Sequence, residues 1–416
     1  MKIREAVSRR LPRPIRQFVR TEVSGGIVLL IAALAAMAWA NSPVDGVYND
    51  IFERTITVDA GVFRIEEDVR HWINDALMTL FFFVVGLEIK REMAVGELAG
   101  INRAALPVIA AAGGMVVPAL IYTAFNYGGD GSKGWGIPMA TDIAFALGVL
   151  ALFGRRIPPP LRTFLLALAI ADDIGAILVI AIFYTQSLEL DSLAIAGAIF
   201  AAILAMKTIG VKNYAFYALA GAAAWVAVFE SGVHATLTGV ALGLITPLGT
   251  ETTEGEEDAV LVSPGPLEEM EALLHPVSSF LIVPLFALAN AGVSLDPDSV
   301  SDSAGEAITI GVALGLFIGK PLGIGLATLL ALRLGIGRLP ASVNVQQVLG
   351  VGFIAGIGFT VALFVNGLAF TDPSLQQHGR LGIVAGSLLA SLVGAAILWR
   401  FSAPTPESLV NDDFGV

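Results

Sequence analysis

The chain contains no cysteine, and only 14% of its residues are charged. The first absence excludes disulfides, thiol catalysis and Cys-ligated zinc or iron–sulfur centres. The second excludes an ordinary soluble domain, in which about one residue in four is charged. Glycine-rich phosphate loops and metal-ligand histidine spacings are also missing, which argues against ATP-driven pumping by this chain. No cleavable signal peptide is expected, because the basic N-terminal stretch is long and no small-residue cleavage site follows the first apolar run. The net charge of −12 resides mostly in loops and tails, and no nucleic-acid partner is expected.

What is present is apolar surface. Of 416 residues, 56% are hydrophobic and 45 are glycine. The mean hydropathy is +0.78. Apolar runs fall near Ser24–Ala40, Trp72–Arg91, Arg103–Phe125, Trp135–Phe153, Leu161–Tyr184 and Ser192–Met206. Others follow near Tyr214–Phe229, Val233–Leu248, Pro276–Val293, Ala307–Leu332, Val348–Phe370 and Leu381–Trp399. Crossing a ~30 Å hydrocarbon core takes about 20 residues of helix, and several of these runs reach that length. The reading is an all-α polytopic membrane protein of about twelve spans. The segment Ile56–Asp68 alternates apolar and polar residues around Ala60-Gly61, which predicts a small β-hairpin outside the membrane.

An even number of spans places both termini on one side. Eighteen Lys or Arg then fall on that side and five on the other (Arg54, Arg64, Arg70, Lys133, Arg380). This bias orients the termini to the cytoplasm. The chain divides into a basic leader (1–23) in which Pro12 and Pro14 break any long helix, one membrane domain (24–402), and a tail (403–416). Within the domain lie an external loop at 41–71 and an acidic cytoplasmic loop at 249–271, expected to be largely mobile.

Four charges stand out inside the spans. Asp172 and Asp173 lie side by side near the middle of Thr163–Thr185, Asp142 follows Thr141 in the Trp135–Phe153 run, and Lys320 precedes Pro321 in Ala307–Leu332. An isolated carboxylate at mid-span costs roughly 2.5–3.5 kcal/mol on insertion scales, so such residues mark pathways and sites. Three acids and one base offset each other only if their helices meet, which predicts a polar site at mid-membrane with Lys320 paired to one carboxylate. The alternatives are a structural carboxyl pair, a helix cap at Asp142 and a structural salt bridge at Lys320. Hard monovalent cations take oxygen ligands, and Asp173 with Thr141 and freed backbone near Asp142 would supply them. Burial raises the pKa of a carboxyl group and a nearby ammonium lowers it, so the same oxygens can hold a proton or a cation.

The segment Gly350–Phe370 carries glycines at 350, 352, 356, 358 and 367, and Trp135–Phe153 is interrupted by Pro138. Close packing of helices through small residues is one explanation. Interrupted segments at corresponding places in two halves of a chain are also a pointer to a site built from broken helices. Asp142 and Lys320 would then offset the half-charges of the helix ends.

Seven stretches carry a resemblance. They are Asn74–Glu92, Ala140–Gly154, Leu166–Ile177, Ser231–Gly239, Pro284–Leu295, Ile318–Ile324 and Gly356–Thr360. Collinear from about Ser24 to Trp399, they resemble the NhaA-type sodium/proton antiporters. The resemblance implies twelve helices with inverted three-helix repeats (third to fifth, tenth to twelfth). The fourth and eleventh helices would be broken and would cross, near Thr141 and near Gly356 and Gly358. It implies Asp173 as principal ligand for sodium or lithium, with Asp172 exchanging protons and pairing with Lys320. Thr141 and Asp142 would shape the site. It further implies electrogenic export of sodium or lithium against entering protons, and a homodimer supported by the hairpin. A pH-response region would comprise Glu88, Arg91, Glu92, Glu271, His275 and His234, although Glu88 and Glu92 also suit a plain charged helix end. The chain departs from the pattern in having Ala272 beside Glu271, Glu269 and Met270 before it, and a longer acidic loop, so the pH setpoint is not carried over.

Competing readings are weaker. An intramembrane aspartyl protease needs two carboxylates facing one scissile bond, whereas adjacent residues on one helix point about 100° apart. A sodium-coupled solute symporter needs a larger cavity with solute-recognising groups, and a passive channel needs no titrating site. The expectation is therefore a transporter rather than an enzyme, without cofactor, and the resemblance implies a bacterial inner membrane.

Overall fold

The computed structural model describes residues 13–402, apart from 60, 62–63, 186–187, 212, 250, 253–260, 263–264, 296–299, 301, 304–305 and 340–341. Residues 1–12 of the leader, the tail 403–416 and the centre of the acidic loop lie outside the described residues.

Helix α1 (Arg13–Ala40) is followed by the short α2 (Asp45–Phe52), the strands β1 (Thr55–Asp59) and β2 (Arg64–Asp68), and α3 (Val69–Ala94). Next come α4 (Ile101–Asn126), a tight 3₁₀ segment over Asp130–Met139, and α5 (Ile143–Leu152). The sequence continues with α6 (Pro159–Phe183), α7 (Leu190–Thr208), α8 (Tyr214–Glu230) and α9 (Thr236–Ile245). The last five are α10 (Pro266–Asn290), α11 (Ala307–Arg333), α12 (Val345–Ile354), α13 (Phe359–Ala369) and α14 (Pro373–Phe401). Among the described residues, seven helices are long and apolar enough to cross a membrane, and pairs bent at short breaks raise this to ten. The shorter apolar helices α8 and α9 bring the number to the expected twelve. The protein is an all-α multi-pass membrane protein.

The predicted hairpin is present, with β1 antiparallel to β2 and Val58 opposite Ile65. Two expectations are corrected. Pro14 does not break the helix: α1 begins at Arg13, ahead of the expected apolar span Ser24–Ala40, because Pro14 sits in its first turn, where a missing N–H costs nothing. The mobile acidic loop does not extend to Glu271, since α10 starts at Pro266 and carries Glu268, Glu269 and Glu271. Proline opens that helix, acids in the first turn suit its positive end, and Glu268 Oε2 accepts the Gly265 N–H at 2.9 Å.

Helices α3 and α10 run antiparallel. At one end Asn74 and Asn290 share hydrogen bonds of 2.8 and 3.3 Å beside the hairpin. At the other end Arg91 pairs with Glu271. These are called below the hairpin end and the Arg91 end. The apolar window of α6 is 61% buried against 11% for α7, so α6 carries Asp172 and Asp173 through the centre of the bundle.

Two spanning helices widen into a π-turn before a proline. In α10 the Val283 N–H reaches back five residues to the Ser278 carbonyl, and in α11 the Lys320 N–H reaches Gly315. Pro284 and Pro321 follow directly. A proline ring clashes with the carbonyl four residues back and offers it no N–H; a wider turn moves that carbonyl aside. A third π-turn, Ile73–Leu77 in α3, contains no proline and has no such cause.

Helices α4 and α11 meet backbone to backbone at Gly113 and Gly323, where a Cβ on either would lie inside the other's carbonyl group. Gly323→Val should therefore overpack the interface one turn from Lys320 and cost about 1–3 kcal/mol. Earlier thermal unfolding in detergent is the expected result; native-like melting would show that the two helices separate freely.

Candidate cation site at the crossing of two broken helices

The fourth span breaks between the 3₁₀ segment and α5 with a 45° bend, and the eleventh between α12 and α13 with a 49° bend. The breaks touch through main chain: the Asp142 N–H donates to the Ile357 carbonyl at 2.6 Å. The Thr141 hydroxyl lies 2.8 Å from the Ala355 carbonyl. Gly356 and Gly358 permit this approach. A Cβ on Gly358 would stand 3.1 Å from the Ala140 carbonyl, and one on Gly356 would collide with the Leu316 carbonyl.

Asp142 serves both breaks. Its Oδ1 caps α5 by accepting the Phe145 N–H at 3.0 Å. Its Oδ2 accepts the Thr360 N–H at 3.0 Å and the Thr360 hydroxyl at 2.6 Å. One carboxylate thus satisfies orphan donors at two helix N-termini, whose partial positive charges it also offsets. The cap alternative for Asp142 is what the structure contains, with the second helix added.

Asp172 and Asp173 face different neighbours, as their offset on α6 requires. Asp172 Oδ2 receives the Lys320 ammonium and lies 2.7 Å from the Thr141 hydroxyl, and Asp172 and Lys320 are each 0% exposed. The Lys320 Nζ also donates to Thr141 Oγ1 at 3.0 Å. The single hydroxyl proton of Thr141 can serve either Asp172 or the Ala355 carbonyl, which makes Thr141 a switchable link between α6 and the broken eleventh span. Asp173 instead lines a cavity of about 60 Å³ together with Glu88, Thr141, Asp142, His275, Ser278, Ser279 and Thr360. Oδ1 of each aspartate accepts no hydrogen bond from the described residues. A buried carboxylate oxygen left in that state has capacity for a proton or a cation. At roughly 10–15 Å³ per water on this measure, the cavity is large enough for a dehydrated cation and a few waters. Among the described residues no cluster of three or more His, Asp or Glu forms a multi-ligand metal centre.

Five of the six residues assigned to pH response come together at the Arg91 end. Arg91 pairs with Glu271 and lies 3.7 Å from Glu92. His275 Nε2 is 3.6 Å from Glu88 Oε1, and both line the Asp173 cavity. The Glu92 Oε2 accepts the Glu97 N–H at 3.0 Å. His234 is not with them. Lys90 donates to the Thr246 carbonyl at the end of α9, whereas His234 lies before the start of α9, at the hairpin end. There its Nε2 donates to the Tyr184 carbonyl at 2.7 Å. Burial pushes its pKa below the ordinary histidine value, with that hydrogen bond opposing.

Sequence reading overlooked Thr360, whose two donors hold Asp142, and Ser387, whose hydroxyl accepts the Gly358 N–H at 3.3 Å. The signal for Thr360 was available: like Thr141, it is a hydroxyl residue at a predicted break.

A family model described as Na+/H+ antiporter 1 matches residues 16–398. The chain belongs to this family. It is 47% identical over 393 residues to the Na(+)/H(+) antiporter NhaA of Serratia proteamaculans, covering 94% of this chain and 98% of that protein. The protein of the same name from Yersinia pseudotuberculosis serotype O:1b is 47% identical over 400 residues, with 95% and 98% covered. That of Yersinia pestis is 46% identical over a similar span.

Proposed function

We propose that this member of the Na+/H+ antiporter 1 family exchanges sodium or lithium for protons across the membrane. Asp173 carries this reading. It is a buried carboxylate with an unpartnered oxygen, facing a small cavity and back to back with an aspartate that holds a buried lysine. An alkali cation at Asp173 displaces the proton that would neutralise the carboxyl there. The Asp172–Lys320 pair supplies a second titrating centre in contact with Thr141, so cation loading is coupled to proton release. When more than one proton leaves per cation the cycle moves net charge. A cavity of about 60 Å³ suits an ion; small organic ligands take roughly 300 Å³ or more, which disfavours solute symport.

In this reading residues 24–402 form one transporter domain, with the termini in the cytoplasm of a bacterial cell and the protein in its inner membrane. Glu88, Arg91, Glu92, Glu271 and His275 adjust exchange to pH from the cytoplasmic mouth of the cavity. The β1–β2 hairpin supports a homodimer. Sodium, lithium and protons are cargo, and the transporter needs neither an enzymatic step nor a resident cofactor.

The test is proton movement in inside-out vesicles, followed with a fluorescent ΔpH probe on adding sodium, lithium or potassium. Collapse of the gradient by sodium or lithium is expected. If no alkali cation moves protons anywhere from mildly acidic to alkaline pH, exchange is the wrong reading.

A further inference from the structure

Charge is segregated at the Arg91 end. The sequence has no acidic residue in 143–171, in 307–371 or in α14. Helix α6 starts at this end, because its other end, at Tyr184, meets His234 at the hairpin end. Three arginines gather around that start. Arg156 lays its guanidinium over the Trp399 indole, 3.8 Å from the ring centre, and Phe153 packs on the same indole at 6.2 Å. Stacking fixes the plane of the guanidinium and leaves its N–H edge free to donate. Arg162, in the first turn of α6, donates to the Gly154 carbonyl, which ties it to the turn carrying Arg156, while its buried Nε–H finds no acceptor. Arg400 follows Trp399 directly. Among the described residues no carboxylate pairs with Arg156, Arg162 or Arg400. Orientation in a membrane asks only for positive charge, which lysine supplies as well as arginine. Stacked guanidiniums with a buried idle donor and no carboxylate ask in addition for an anion.

We infer that Arg156 and Arg162, with Trp399 as platform and Arg400 alongside, bind the phosphodiester headgroup of an anionic phospholipid such as phosphatidylglycerol. The site stands apart from the cation cavity, and the inference does not depend on the exchange reading. A phosphate offers paired oxygens that a guanidinium fork meets with two parallel hydrogen bonds. The surroundings favour lipid over free phosphate. Trp399 is 62% exposed and Leu152 is 84% exposed, and Leu392 stands two turns from Trp399 on the same exposed face of α14. An acyl chain can lie against these apolar side chains while its headgroup reaches the arginines. Tryptophan is enriched at the depth of the headgroups, and basic pockets between spanning helices suit anionic heads. A headgroup held there joins the start of α6 to the end of α14, so its binding stabilises the fold.

The test is quenching of tryptophan fluorescence in the full chain, reconstituted in phosphatidylcholine vesicles with a small fraction of brominated phosphatidylglycerol. The native protein should be quenched at a several-fold lower fraction of brominated phosphatidylglycerol than of brominated phosphatidylcholine. Trp399→Phe should lose that excess; an excess that persists places the bound lipid elsewhere and overturns the inference. Arg156→Lys/Arg162→Lys keeps the charge but removes both forks. It should raise the half-quenching fraction about ten-fold, the worth of one charge-assisted hydrogen bond. Equal quenching of the native protein by the two lipids overturns the inference. So does a lysine variant that binds like the native protein, since diffuse surface charge would then suffice. If millimolar inorganic phosphate removes the excess, the site takes soluble phosphate and the lipid assignment is wrong. Melting in detergent provides a second readout: without phosphatidylglycerol the lysine variant should melt like the native protein, and on its addition it should gain less.

Discussion

Asp173→Asn is expected to abolish sodium- and lithium-driven proton movement while leaving the protein folded. The substitution keeps the side chain's shape and removes its charge. Glu88 and Asp142 also line the cavity, yet neither can substitute. Asp142 has both oxygens engaged by Phe145 and Thr360, and Glu88 lies against His275. Two unit charges about 4 Å apart attract by about 4 kcal/mol at an effective dielectric near 20, so loss of the carboxylate weakens cation binding by about a thousand-fold. The proton that would otherwise exchange is lost with the same atoms. Stability should change little or rise, because a buried charged group with an unpartnered oxygen gives way to a neutral one. The check is the ΔpH signal in inside-out vesicles together with thermal melting in detergent. Retained exchange with native sodium dependence would remove Asp173 from the site.

Lys320→Met should also lose exchange but, unlike Asp173→Asn, with a large loss of stability. Lys320 and Asp172 are both fully buried and paired. Removing one partner of such a pair leaves an uncompensated buried charge and typically costs 3–5 kcal/mol. Thr141 limits the damage only slightly, because its one proton already has two acceptors. The double variant Lys320→Met/Asp172→Asn is expected to recover most of the lost melting temperature without recovering exchange. The difference between the single and double variants gives the coupling energy of the pair. A Lys320→Met protein that melts like the native one would show that the pair does not hold α6 to α11.

Legibility in the sequence followed physical cost. A charge inside a spanning helix is expensive wherever the helix ends up, so Asp172, Asp173, Asp142 and Lys320 stood out against their apolar neighbours. Hydroxyls carry no such cost, because a serine or threonine can bond its own helix, and Ser278, Ser279, Ser387 and Thr360 therefore went unassigned. A helix start was misjudged where proline was read as a breaker although it occupied the first turn, as at Pro14. His234 illustrates the limit of motif position: the resemblance grouped it with Glu271 and His275, whereas the run of α9 carries it to the hairpin end.

By itself the sequence determined the class of the protein, its spans, its hairpin and the four intramembrane charges, because hydropathy and the burial of charge are properties of each segment alone. The tertiary structure decided which partner each charge meets. It turned Asp172 toward Lys320 and Asp173 toward the cavity, gave Asp142 to two helix ends at once, and opened the π-turn of α10 onto the same space. Those outcomes depend on how distant helices pack, through glycine contacts and prolines whose effect is felt only when a neighbouring backbone is close enough to respond.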